Sequence, residues 1–386
     1  MMSIAEIYIS YLRRAVFSAS FLPESLSWTH QDWSSFIQLC QRQATAPLVF
    51  NEVLKDAATG QIDVPSAYLT HMKSVCAHNM LSQQQFLLIL HQTWSALSSS
   101  LSNPPLLLKG FALAELYPRP DLRTWGDLDV YVGPDNYHAA AQILRATFPQ
   151  AIHPNEEGED LKHYNFDFPD GNAVEMHRAT MTILHPRAAC VYDALEKEGV
   201  APEHIFPLTL SSASNLQVHI PELKFNLLFT FLHAWHHFVD TGIGMKHFCD
   251  LALLAHFTAA HISAADLESY LRPNLRKLHL TEAWNMMGYI CVEKLGLAPS
   301  EWVYPTEKHT NSHTITWDSW TRQQGERMFS CVMNGGSCHP SSPERVGQNK
   351  YEERDRRRHL PWLQRKLLTL KMNLMDAHYV YPYSPE

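Results

Sequence analysis

Residues 106–132 read LLLKGFALAELYPRPDLRTWGDLDVYV, and this stretch decides the fold. Leu106, Leu107 and Leu108 form an apolar run that ends at Lys109-Gly110. A helix-like segment follows from Phe111 to Tyr117, and Pro118 and Pro120 stop it. A second apolar run opens on Asp127-Leu128-Asp129 and reaches Val132. Side chains alternate along a strand, so carboxylates at i and i+2 share one face. Like charges there repel and stabilise no sheet. Hard oxygen ligands in such a pair are what a divalent cation takes. A glycine ahead of a helix lets a phosphate approach free backbone N–H groups. Metal and phosphate together suggest nucleotide chemistry.

Downstream, residues 136–148 have helical spacing. Residues 164–168 and 173–177 alternate around Pro169-Asp170-Gly171-Asn172, and Asp-Gly at the centre of such a run signals a hairpin. Strand, helix, strand, helix, hairpin predicts a small mixed sheet in an α+β fold. Val174 and Met176 flank Glu175, so Glu175 and His177 share the polar face. Glu175 is the third carboxylate of choice; Asp167 and Asp170 are rivals, and Asp170 is more simply a turn residue.

Upstream, apolar positions recur at three- and four-residue spacing over residues 4–17, 33–54 and 68–97, which predicts helices. The loop SSSLSNPP at 98–105 marks a boundary. One more strand is expected at 216–220, and helices from 222 to about 297. Within these, FNLLFTFLHAWHHFVD at 225–240 sets His233 and His237 on one helix face. That spacing could chelate zinc with Asp250 as a third ligand, but the glutamate of an HExxH motif is missing. Packed histidines, or histidines lining a pocket, are the other readings. Residues 350–371 carry Arg354, Arg356, Arg357, Arg358, Arg365 and Lys366 around Trp362. A solvated amphipathic helix is the simpler reading, and an RNA contact the alternative. The expected division is 1–100 helical, 101–221 core, 222–330 a second helical unit and 331–386 a loop with a basic tail.

Composition sets bounds. The chain has 386 residues, 45% hydrophobic and 18% charged, enough for a substantial core and against disorder. A net charge of -8 argues against indiscriminate coating of nucleic acid. Seven cysteines without a CxxC pair read as free thiols in a reducing cytoplasm. The N-terminus has its arginines after its apolar residues, unlike a signal peptide, and no apolar run suits a membrane span.

The ordered set Lys109-Gly110, Tyr117-Pro118, Arg123, Gly126-Asp127-Leu128-Asp129, Val174-Glu175-Met176-His177, His233, His237 and Asp250 resembles the nucleotidyltransferase superfamily, the fold of β-type polymerases. Within it, the set is similar to a bacterial group of uncharacterised nucleotidyltransferase proteins, over about residues 30–260. The resemblance implies transfer of a nucleoside monophosphate from an NTP, such as ATP, with release of pyrophosphate. It implies Mg²⁺ or Mn²⁺ at Asp127, Asp129 and Glu175, in a two-metal arrangement. It implies nucleotide contacts from Lys109, Gly110, Phe111, Arg123, His177, His233 and His237, and an acceptor side in the second helical unit. The acceptor stays open between a small molecule, a protein side chain and an RNA end. Toxin-type relatives read closer to Lys-Gly-Gly and Ser-Glu-Asp-x-Asp, which this chain does not match. Two other functions stand beside this one. One is a nucleotide-binding module without catalysis. The other is a metallohydrolase built on His233, His236, His237 and Asp240.

Overall fold

Four strands carry the centre of the fold: β1 (Leu106–Leu108), β2 (Leu128–Tyr131), β3 (His163–Asp167) and β4 (Ala173–His177). The computed structural model describes residues 2–21, 28–152, 163–183, 186–240, 242–304 and 317–334. The strands lie in the order β1-β2-β4-β3. β1 runs antiparallel to β2, β2 parallel to β4, and β4 antiparallel to β3, so the sheet is mixed, as expected. A parallel pair needs a crossover, and α6 (Gly133–Thr147) lies on it. The β3–β4 turn holds Gly171 at φ 87, and the Asn172 N–H donates to the Asp170 carboxylate at 3.1 Å. Asp170 is therefore committed to the turn.

Alternation gives the sheet two unlike faces. Leu107, Leu128, Val130, Phe166, Val174 and Met176 join one buried cluster with Phe86, Leu90 and Trp94 of α4 (Ser66–Ser98) and Leu144 of α6. Leu106, Leu108 and Tyr131 face the other way, into a larger cluster. That cluster is built by α1 (Ile4–Phe17), α2 (His30–Arg42), α3 (Ala46–Ala58), α7 (Pro186–Gly199), α8 (Leu223–Asp240), α9 (Met245–His261), α10 (Ala264–Lys277), α11 (Thr281–Tyr289) and α12 (Ser319–Asn334). The fold is α+β.

The structure departs from the sequence reading in several places. The helical spacing over 33–54 is divided between α2 and α3, because Ala44 at φ 53 breaks the chain between them. The strand at 216–220, β6 (Leu216–Ile220), pairs with an unexpected β5 (Phe206–Leu210) in a separate two-stranded sheet. Pro207 disguised β5, since proline demotes a run as a strand candidate. Cys40, Cys76, Cys190, Cys249 and Cys291 are free as expected, but Cys331 is disulfide-bonded. No helix among the described residues is long and apolar enough to cross a membrane. The basic segment at 350–371 lies outside the described residues.

Candidate metal and phosphate site

Strand register builds the site. Leu108, Asp129, Glu175 and Asn165 stand opposite one another across β1, β2, β4 and β3, so one row crosses the sheet. Paired residues share a face, which puts the Asp129 and Glu175 carboxylates side by side. His177 follows two residues later on that face, with Nε2 2.8 Å from Asp129 Oδ1 and 3.6 Å from Glu175 Oε2. Asp129, Glu175 and His177 form the one group of three potential metal donors among the described residues. Asn165 Oδ1 and His177 Nδ1 are buried without a hydrogen-bond partner.

Lys109 caps the row. Its Nζ lies 2.9 Å from Asp129 Oδ1 and donates to His233 Nε2 at 3.3 Å. The backbone that aims it there is unusual: Lys109 has φ 44 and ψ -135, and Gly110 has φ 26. A left-handed φ is strained for lysine and suits glycine. A Cβ on Gly110 would sit 3.3 Å from the Asp127 carbonyl oxygen, so the two motifs of the opening stretch touch through backbone. Gly110 opens α5 (Gly110–Ala114). Phe111 turns its ring inward onto Phe86 and Trp125, which leaves only its backbone for a ligand.

Charge is unevenly distributed. Burial alone would raise the Asp129 carboxyl, but Lys109 and His177 overcome it and hold the group well below the usual range. Burial also works against ionised Glu175, and the His177 imidazole beside it reverses this and lowers it. Asp127 lies at the exposed mouth of the site. Desolvation by the surrounding protein, then the Glu175 and Asp129 charges, push it up to about 6.

The helical side supplies imidazoles and cations. His233 and His237 of α8 set their Nε2 atoms 3.1 Å apart, and His233 meets Lys109. His247 of α9 lies behind them, its ring 5.7 Å from that of His237. Burial, then the Lys246 charge, pull it down to about 3, so this imidazole is neutral. Burial, then Arg123, lower Lys246 to about 8, while Asp250, Asp127 and Asp129 work to raise it.

Arg123 is buried, and its Nε and Nη2 each donate at 2.7 Å to the two oxygens of Asp250. Tyr117 donates to the same carboxylate at 2.7 Å. The contact the structure contains for Arg123 is this salt bridge, not a free guanidinium at the site. This also commits Asp250, so a zinc site from His233, His237 and Asp250 is not assembled, and no second donor group occurs among the described residues.

The sheet and α8 thus bring together Asp129, Glu175, His177, Lys109, His233 and His237, with Asp127 at the rim. Sequence reasoning missed Asn165 and Lys246. Asn165 had a legible signal, being two residues from the edge of an alternating strand beside Glu175. Lys246 had a fainter one: it is a single cation four residues before Asp250, just ahead of a run, Phe248 to Leu254, that is apolar but for Asp250.

A family model described as an uncharacterised nucleotidyltransferase matches residues 29–296. No curated protein and no solved structure matches the chain.

Proposed function

The chain belongs to the uncharacterised nucleotidyltransferase family, and on that premise we propose that it moves a nucleoside monophosphate from an NTP to an acceptor, releasing pyrophosphate. The observation that carries this reading is the sheet row itself. Asp129 and Glu175 are register partners on β2 and β4, and Lys109 meets Asp129 at 2.9 Å from the turn after β1. Few structural needs would put two carboxylates and a lysine together on one largely buried sheet face.

The donor set fits a divalent cation. Two carboxylates and an imidazole have ligand atoms within 4.8 Å of one another, and Asn165 offers an unused buried oxygen beside them. Oxygen donors suit Mg²⁺ and Mn²⁺. Asp129 and Glu175 would hold the ion, with Asp127 closing the set from the rim. Bound there, it would supply charge neutralisation at the reacting phosphorus.

The remaining residues bind and orient. Lys109 pairs with the triphosphate as a point charge once a cation relieves it of Asp129. Gly110 admits the phosphates close to the backbone, and the Phe111 ring anchors that turn from below. His233 and His237 stand beside Lys109 and line the polyphosphate path. His177 donates to Asp129 and holds its orientation. Arg123 acts at one remove, fixing the loop that leads into Asp127 by gripping Asp250. The acceptor enters from the 222–330 side, and is a small molecule, a protein side chain or an RNA end.

The test is label transfer. The protein is incubated with each α-³²P-labelled NTP, Mg²⁺ or Mn²⁺, and a cell extract fractionated into RNA, protein and small molecules. Label in one fraction, lost in Asp127→Ala/Asp129→Ala, is the expected result and names the acceptor class. NTP binding without transfer to any fraction would overturn catalysis and leave a nucleotide-binding module.

A further inference from the structure

Lys246 is the second residue of α9. Its ammonium makes no hydrogen bond or ion pair with any described residue, although it is half-buried. A lysine is seldom taken out of water without a counter-ion in reach. Its surroundings explain where its charge is directed. Asp250 lies four residues on, one turn along the same helix face. Both oxygens of Asp250 are already taken by Arg123. Beyond that pair, the carboxylates that act on Lys246 are Asp127 and Asp129.

The first turn of α9 is also fixed in place. The Met245 N–H donates to Gln43 Oε1 at 2.9 Å, and the Lys246 N–H to the Gln43 carbonyl at 3.2 Å. A Cβ on Gly244 would lie 2.7 Å from that carbonyl oxygen, so the two backbones are in direct contact. Lys246 is thus held on a rigid element beside the loop that leads into Asp127, since Ala44, next to Gln43, accepts from Thr124 Oγ1 at 2.6 Å. Lys109 already has Asp129 as its partner; Lys246 is the cation left over for an incoming anion.

We infer that Lys246 binds the polyphosphate of the nucleotide, as a second point charge in addition to Lys109. This deepens the transferase reading and rests on it. The charge arrangement makes an unusual demand. A fixed cation near Asp127 and Asp129 attracts phosphate but repels a bare divalent cation. Removing it should therefore weaken one ligand and spare or strengthen the other. A residue that only supported the fold would weaken both.

The experiment uses the full chain with two probes, inorganic tripolyphosphate followed by calorimetry in Mn²⁺, and Mn²⁺ alone followed by the electron paramagnetic resonance of the free ion. For Lys246→Met, tripolyphosphate binding is expected to weaken roughly tenfold or more, as for one partly screened charge pair. Bare Mn²⁺ is expected to bind at least as tightly as to the wild type. Lys246→Arg should keep most of the tripolyphosphate affinity. Weakening of both probes together, or of neither, overturns the assignment while leaving the site reading intact. A wild type that binds Mn²⁺ but no tripolyphosphate overturns the phosphate reading of the whole site, and this inference with it.

Discussion

At the scale of single residues, Asp127 and Asp129 are two carboxylates with opposite tendencies. Asp127 titrates near pH 6 in the folded chain, and an unfolded aspartate near pH 3.9. Its charged form therefore costs native stability; the cost is absent below about pH 4 and complete above about pH 6. Asp127→Asn is expected to raise the melting temperature of the metal-free protein near pH 8 by about 1–3 °C, a value discounted for solvent screening at an exposed carboxylate. The gain should vanish near pH 4, and calorimetric scans at the two pH values check it. The same proton competes with a cation, so Mn²⁺ affinity should fall as pH drops through about 6. An affinity flat from about pH 7.5 to pH 5 would show that Asp127 contributes nothing to the ion. Asp129 has the reverse sign, since its folded carboxyl is lowered by Lys109 and His177. It stabilises the fold above the unfolded pKa, and that contribution is lost as pH falls through its folded value.

At the scale of elements, the Arg123–Asp250 pair fastens the loop entering β2 to α9. Both side chains are buried, and breaking one half of such a pair leaves a bare charge inside. Asp250→Ala should cost about 3–5 kcal/mol in urea unfolding. Arg123→Met/Asp250→Leu should recover much of that loss, because apolar replacements leave no charge to compensate. Elements were legible where local chemistry was decisive. Asp170-Gly171 announced the hairpin, and Asp127-Leu128-Asp129 with an apolar run announced β2. The partner of Arg123 was not legible, because it lies 127 residues away and only the packing of α9 against the sheet brings it near. Lys246 was hidden for the same reason. α7 and β5 were missed as well: β5 begins Phe206-Pro207, and proline is a poor signal of a strand.

At the scale of the whole molecule, Gln43 joins distant parts of the chain. Its side chain is 1% exposed, accepts from the Met245 N–H and donates to the Val332 carbonyl at 2.8 Å. One residue in the α2–α3 break thereby ties the N-terminal helices to α9 and α12. Gln43→Leu should leave two buried backbone groups unsatisfied and cost about 2–4 kcal/mol. Urea midpoints of this variant and the wild type measure it, and a loss under about 0.5 kcal/mol would show that water replaces both bonds. The place of β2 has a consequence of its own. This strand is laddered to β1 on one side and β4 on the other, with Leu128 and Val130 fully buried beneath. Amides in such a position exchange with deuterium only when the entire structure opens. Asp129 rides on that strand, so its carboxylate should stay in place while chain ends and turns fray. Heating should then abolish the site and the fold in the same transition, with no window in which an inactive protein keeps its tertiary structure.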